Sequence, residues 1–337
     1  GPVTAVIPDR WSQSSLGRSW RQDETRDDHG VTLVPAKWRG PARPTLGLMR
    51  VPPRSVAADA VVQIEEEPWT PTAYFAARPK LGAATVLFTW ENVERSFPPP
   101  WSSMRQAVFG RIAGLIAGNI GAADVARAQG YRGLIAVIPQ LGIELPANPA
   151  RTEAPELRIT FVGRLVREKG VDILLRALGL VESPWRCTIL GDGPERSALE
   201  RVARDFGHDV RTRFLGPRPH AEVAAIWPET DLLVLPSRSS KKWREQLGHV
   251  LLEAMSHGVA TVGSTCGAIP EVIGDAGFVF PEDNAQALAA ALQKLALDRE
   301  LVRRLGAAGR RRASEQFTNE RIAARTSAFH EEVLSAR

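Results

Sequence analysis

Four short segments place charged residues or glycines where an apolar run gives way to a helical pattern. In open α/β sheets that is where ligands bind. The first is Gly163-Arg164-Leu165-Val166-Arg167-Glu168-Lys169-Gly170. Gly163 lets backbone approach a bound group closely. Arg164 offers a two-donor fork for phosphate oxygens, and Lys169 a point charge. An ordinary surface loop fits the same residues. The second segment is Gly191-Asp192-Gly193-Pro194. Its glycines either turn backbone N–H groups of Gly191 and Gly193 toward an anion or only reverse the chain.

The third segment runs from Pro236 to Met255 and is the most informative. A polar loop leads to Glu245, and a helix follows from about Gly248, so the N–H groups of Gly248, His249 and Val250 stand at its positive end and suit a diphosphate. Glu253 lies among Val250, Leu251, Leu252, Ala254 and Met255. A carboxylate in such company needs a partner. Ribose hydroxyls and a neighbouring arginine both qualify, while Glu245 also reads as an acid favoured by the helix dipole. In the fourth segment, Gly267-Ala268-Ile269-Pro270-Glu271-Val272-Ile273-Gly274, Pro270 fits the first helical position and Glu271 the first turn.

The elements that must position these residues alternate regularly from Leu157 onward. Strands are expected at Leu157–Gly163, Arg186–Gly191, Arg211–Gly216, Asp231–Pro236, Ala260–Ser264 and Gly277–Phe280. Helices are expected at Val171–Val181, Arg196–Phe206, Ala221–Trp227, Val250–His257, Ala285–Leu297 and Arg299–Gln316, with a last one within Thr318–Arg337 capped by Thr318 or Asn319. This alternation implies a parallel sheet covered on both faces. The first half reads as α/β with shorter helices. Its strands are Val3–Pro8, Gly30–Pro35, Ala60–Glu65, Thr85–Thr89, Leu115–Ala117 and Ile135–Pro139, and its helices Thr70–Ala77, Trp101–Phe109 and Ala122–Gln129. Arg10–Arg26 shows no usable periodicity, and Arg39–Arg54 reads as loop. The Pro- and Ala-rich stretch Leu145–Glu156 is the expected linker. The domains expected are therefore 1–147, 156–317 and a terminal helix over 318–337.

A chain of 337 residues with 44% hydrophobic and 24% charged residues is ordinary for a globular protein of two domains. No apolar run is long enough to cross a bilayer. No basic region followed by an apolar one opens the sequence, so no signal peptide is expected. The two cysteines, Cys187 and Cys266, lack metal-ligand spacing and suggest no disulfide framework, which fits a reducing cytoplasm. The net charge of +5 is modest. It suits solubility, an anionic ligand or weak peripheral contact with an anionic membrane, and nucleic acid is not an expected partner.

Together the segments resemble the family 4 retaining glycosyltransferases, which have the GT-B fold of two Rossmann-like domains facing across a cleft. The matching residues are GRLVREKG at 163–170, GDGP at 191–194, the Glu245-to-Glu253 pair, EAMSHG, and GAIPEVIG at 267–274. The resemblance implies transfer of a sugar from a nucleoside diphosphate sugar, UDP favoured over GDP, to a small-molecule or glycan hydroxyl. Arg164 and Lys169 would neutralise the departing diphosphate, Glu253 would hold the ribose, and Glu245 would contact the transferred sugar. The backbone at Phe214 and Leu215 would frame the base, and amides near Ala268 and Ile269 would border the sugar. No metal or other cofactor is implied, because cations and a helix end stabilise the leaving group. The terminal helix would return to the N-terminal domain.

The N-terminal half departs from that pattern. Phe88-Thr89-Trp90-Glu91-Asn92 stands where many members carry a catalytic-site His, which is absent here. Trp90, Glu91 or Asn92 would then face the sugar or only shape the pocket. The glycine pair expected after the first strand is missing, with Gln13-Ser14-Ser15-Leu16-Gly17 its nearest substitute, and Trp38 to Glu65 looks short. Trp11, Trp20, Trp38, Trp69, Trp90 and Trp101 crowd this half and read better as core than as sugar platforms. Two rival readings follow. One is a non-catalytic sugar-nucleotide-binding partner protein, and the other a GT-B epimerase or phosphorylase. The Glu245–Glu253 spacing favours transfer.

Overall fold

The structure, a computed structural model, describes residues 3–8, 10–13, 18–21, 24–28, 30–39, 48–49, 60–78, 83–147, 152 and 154–336. The chain forms two compact units. The first comprises Gly1–Gly118, Ala122–Val137 and Ser327–Arg337, and the second Asn119–Gly121 and Ile138–Thr326. The change of unit at Val137 precedes the Pro- and Ala-rich stretch, so Ile138–Pro146 groups with the C-terminal unit.

The second unit is built on six parallel strands: Leu157–Val162, Trp185–Leu190, Thr212–Gly216, Leu232–Leu235, Ala260–Ser264 and Gly277–Phe280. Numbered along the chain, they lie in the order 3-2-1-4-5-6. This is the doubly wound order, whose direction reverses between the first and fourth strands and opens a crevice at their carboxyl ends. The strands read as near-continuous apolar runs because both faces are covered. Phe161, Ile189, Leu233, Val234 and Val262 are fully buried. Helix Val171–Leu178 ends at Gly179, short of the expected Val181. The helix expected over Ala221–Trp227 is instead one α-turn at His220–Val223 followed by a 3-10 segment, Ala224–Glu229. Pro228 lies inside that segment and cannot donate the bond an α-helix needs there.

At the amino edge of this sheet an ionic knot ties two strands. Asp231 is 4% exposed. It accepts from Arg158 Nε at 3.1 Å and Nη2 at 2.9 Å, and from Arg299 Nη2 at 2.8 Å. Burial pushes the Asp231 carboxyl up, but the hydrogen bonds from Arg158 and Arg299 outweigh it and hold the group below its usual value.

The first unit has a four-stranded parallel sheet ordered Leu134–Val137, Gly114–Ala117, Ala84–Thr89, Val61–Glu65. Its core joins Ile64, Leu87, Val108, Phe109, Leu115 and Tyr131. The end of the terminal helix, Asn319–Ser335, packs on this sheet. Gly114 leaves room for it, since a Cβ there would lie 2.6 Å from Val333 Cγ2. Val3–Pro8 and Val31–Ala36 pair with each other in a separate three-stranded sheet. Arg10–Gln13 and Arg18–Arg21, where no periodicity is visible, form an antiparallel pair with Trp11 opposite Trp20. Gly17 and the three residues before it lie outside the described residues, as does most of Arg39–Arg54. Trp38 and Trp69 are core residues.

Candidate functional site

Two segments leave the carboxyl edge of the second unit's sheet at its switch point. One follows Val162 and carries Arg164 and Lys169, and the other follows Leu235 and carries Glu245. They meet in a close ion pair, with Lys169 Nζ 2.6 Å from Glu245 Oε2. The same oxygen accepts from Ser237 Oγ at 3.0 Å. Lys169 Nζ also lies 5.1 Å from the centre of the Trp243 ring, within cation–π range. Glu245 is 7% exposed, so burial strengthens its attraction to Lys169. Arg164 is exposed, and its guanidinium has no partner among the described residues. Among the described residues the site thus holds one paired cation, Lys169, and one unpaired, Arg164.

The Glu245 backbone is fixed from the opposite side. Its carbonyl accepts from Ala268 N–H at 3.0 Å, and its N–H points at Cys266 Sγ at 3.5 Å. Gly267 makes this approach feasible: its φ is +55°, and a Cβ would lie 2.1 Å from the Glu245 carbonyl oxygen. Both cysteines are buried and free.

The glycine amides have acceptors within the chain. Gly163 N–H donates to Leu190 O at 3.0 Å, Gly191 N–H to Gly216 O at 2.9 Å, and Gly193 N–H to Asp192 Oδ1 at 2.8 Å. Gly191 is required for close packing of strand ends, because a Cβ there would sit 1.9 Å from Gly163 O. The amide of Ile269, like that of Ala268, is occupied: it donates to Cys266 O at 3.2 Å. The amides of Gly191, Gly193, Ala268 and Ile269 are thus each engaged within the chain. Phe214 and Leu215 are half-buried beside Gly191, with the Phe214 carbonyl 3.5 Å from Arg196 Nη2.

Helix His249–Ser256 begins after Gly248, and no side chain caps it. Its open start keeps the partial positive charge that favours anions. Glu253 finds its partner within the helix: its Oε1 lies 3.0 Å from His249 Nδ1. That histidine lies one turn back on the same helix. His249 Nε2 lies 3.2 Å from Gly142 O. The hydrogen bond to Glu253 raises the His249 pKa against the opposing effect of burial, with the Gly142 carbonyl assisting. Glu271 accepts the Ile120 N–H at 3.0 and 3.1 Å within the same unit.

In the first unit, Trp90, Glu91 and Asn92 follow strand Ala84–Thr89. Trp90 is half-buried, with its ring over Gly118, while Glu91 and Asn92 are buried. Glu91 Oε2 accepts from Trp69 Nε1 at 3.0 Å. Burial, with the neighbouring Glu67 charge, pushes Glu91 up to about 7. Glu67 accepts from Thr89 Oγ1 and Trp90 N–H, and burial raises its pKa too. Sequence reasoning did not single out Ser237 or Trp243, which stand in a polar loop with no periodicity.

Comparison with known proteins matches this geometry to one family. Residues 148–312 match the family model described as Glycosyl transferases group 1. A curated relative, the N-acetyl-alpha-D-glucosaminyl L-malate synthase of Bacillus anthracis, is 34% identical over 157 residues, covering 46% of this chain and 39% of that protein. The chain thus spans about two fifths of that relative's length. Two solved structures are similar across both units. Anabaena Alr3699/HepE in complex with UDP has a TM-score of 0.67 at 20% identity, covering 82% of this chain and 79% of that one. Sucrose-phosphate synthase from Thermosynechococcus elongatus has a TM-score of 0.68 at 18% identity, covering 100% and 90%. The chain has the GT-B fold, and through residues 148–312 it belongs to the glycosyl transferases group 1 family.

Proposed function

We propose that the chain is a family 4 glycosyltransferase that moves a sugar, with retention at the anomeric carbon, from a UDP-linked donor to a hydroxyl of a small molecule or glycan. The observation that carries this reading is the buried Lys169–Glu245 pair, in the same unit as the exposed Arg164 and the uncapped helix at His249. UDP is favoured over GDP because it occupies the similar Anabaena structure.

In this reading the donor's diphosphate lies against Arg164, Lys169 and the amide-bearing start of the helix. Charge develops on the leaving phosphate as the bond from the anomeric carbon to oxygen breaks. Fixed cations stabilise that charge without reorganising, so no metal is needed. The acceptor hydroxyl attacks the same face, and its proton passes to the leaving phosphate. Glu253, oriented by His249, accepts from the ribose. Glu245, held by Ser237 and Lys169, orients the transferred sugar. The enzyme works in the cytoplasm.

The test is UDP release from UDP-sugars by wild type and by Glu245→Gln. The variant should lose about 10²-fold or more of the rate, the scale of a lost transition-state contact, while its thermal midpoint stays near that of wild type. Full activity in Glu245→Gln would sink the assignment. One observation favours a non-catalytic binder: Glu91, at the position where a catalytic-site His is expected, is committed to Trp69. Wild type that binds UDP yet releases none from any donor would establish that alternative.

A further inference from the structure

The first unit holds a cavity of about 420 Å³ lined by Glu94, Arg95, Ser96, Arg105, Ala128 and Gln129. Three elements build it: the loop after strand Ala84–Thr89, helix Trp101–Phe109, and the end of helix Ile120–Ala128. Two of the lining side chains present buried donors with no hydrogen-bond partner among the described residues, Arg105 Nε and Gln129 Nε2. Gln129 is 9% exposed. Its backbone is pinned, because its carbonyl accepts from Gln106 Nε2 at 3.0 Å and its N–H donates to Val125 O at 2.9 Å. Arg105 is steadied by Nη1, 3.5 Å from the Arg95 carbonyl.

Buried donors are nearly always satisfied, so an orphan calls for an explanation such as a bound ion. Here both orphans belong to side chains that line one cavity, and one of them is part of a permanent cation. The charge agrees: Arg95 and Arg105 face one lining acid, Glu94, which is exposed at the mouth. Arg95 Nε is 3.7 Å from Glu91 Oε1, and burial keeps Glu91 protonated up to about 7, so that acid offsets little of the positive charge below neutrality.

We propose that this cavity binds a small oxyanion of the phosphate class, with the Arg105 and Gln129 side chains turning their unpaired donors to its oxygens and Arg95 adding charge at the mouth. Guanidinium and amide donors in one wall match the several acceptor oxygens of a phosphate. The cavity has room for a small polar substituent, to which Ser96 and Glu94 offer a hydroxyl and a carboxylate. The proposal is independent of the donor-site reading, since its residues belong to the first unit and Arg164, Lys169 and Glu245 to the second.

The experiment is calorimetric titration with inorganic phosphate and, separately, glycerol phosphate. The parent is the full chain carrying Arg164→Ala and Lys169→Ala, so that the donor-site cations bind neither probe. Saturable binding is expected, with Arg105→Gln weakening it by about tenfold or more, the scale of one lost charge-assisted bond, and Gln129→Leu weakening it less. Tighter binding of glycerol phosphate identifies a phosphate monoester as the ligand, and equal binding identifies free phosphate. Arg105→Lys keeps the charge without the fork and carries the test if Arg105→Gln does not fold. No saturable binding to the parent, or unchanged binding in folded Arg105 and Gln129 variants, overturns the proposal and leaves a cavity that holds only water.

Discussion

Lys169 and Glu245 stand 76 positions apart and meet at 2.6 Å, whereas Arg164 is exposed and has no partner among the described residues. The difference predicts different variant behaviour. Arg164→Ala should leave stability within about 0.5 kcal/mol, as exposed substitutions usually do, yet weaken UDP binding by about tenfold if the guanidinium grips the diphosphate. Urea unfolding and calorimetry separate the two effects. His249 gives a pH signature. Its folded pKa is raised above the ordinary 6.5 by the Glu253 hydrogen bond. The pair's stabilisation is therefore full below 6.5 and lost as pH rises through the higher folded value. Thermal midpoints of wild type should decline across that window, and His249→Gln should flatten the decline. Glu91 gives a second signature in a lower window. Its carboxyl ionises near 4.5 when unfolded and near 7 when folded, so stability falls with rising pH between those values. Glu91→Gln should raise the thermal midpoint over wild type at pH 8 and not at pH 4.

At the scale of elements, the second unit's sheet keeps stability and chemistry at opposite edges. Asp231, Arg158 and Arg299 knot the amino edge, and the switch-point loops carry the candidate site. Asp231→Asn leaves buried guanidinium charge uncompensated and should cost about 3–5 kcal/mol in urea unfolding, with UDP affinity retained at a urea-free temperature where the variant is folded. Gly267→Ala acts on both stability and the site. A left-handed residue forced to carry a Cβ costs about 1–3 kcal/mol, and the clash with the Glu245 carbonyl must also move that residue. The variant should lose both stability and UDP release, unlike Asp231→Asn.

For the whole molecule, a ligand that binds only the native state raises its stability in proportion to the logarithm of its concentration. UDP at about 100 times its Kd should add about 2.7 kcal/mol and GDP less. A shift with GDP and none with UDP would reverse the choice of base. Similarity to solved GT-B structures extends over both units, whereas the family match ends at residue 312 and begins at 148. That contrast parallels legibility. In the second unit, runs such as DLLVLP are buried on both faces and bounded by glycine, proline or acid, so a strand is readable without its neighbours. In the first unit Arg10–Gln13 and Arg18–Arg21 are polar apart from Trp11 and Trp20, and only their pairing makes them strands.

By itself the sequence determined the order of strands and helices in the second unit and the family of its motifs. Local apolar periodicity, glycine at turns and an acid inside an apolar helix are properties of neighbours along the chain. Tertiary structure decided what those residues touch. It gave Glu253 a histidine, turned the amides of Gly191 and Ala268 inward, and brought Lys169 to Glu245. It also brought Arg105 and Gln129, each with an unpaired buried donor among the described residues, to the wall of one cavity. Partners of buried polar groups are set by which strand lies beside which, and that order, 3-2-1-4-5-6, is a long-range choice that no local window of sequence contains.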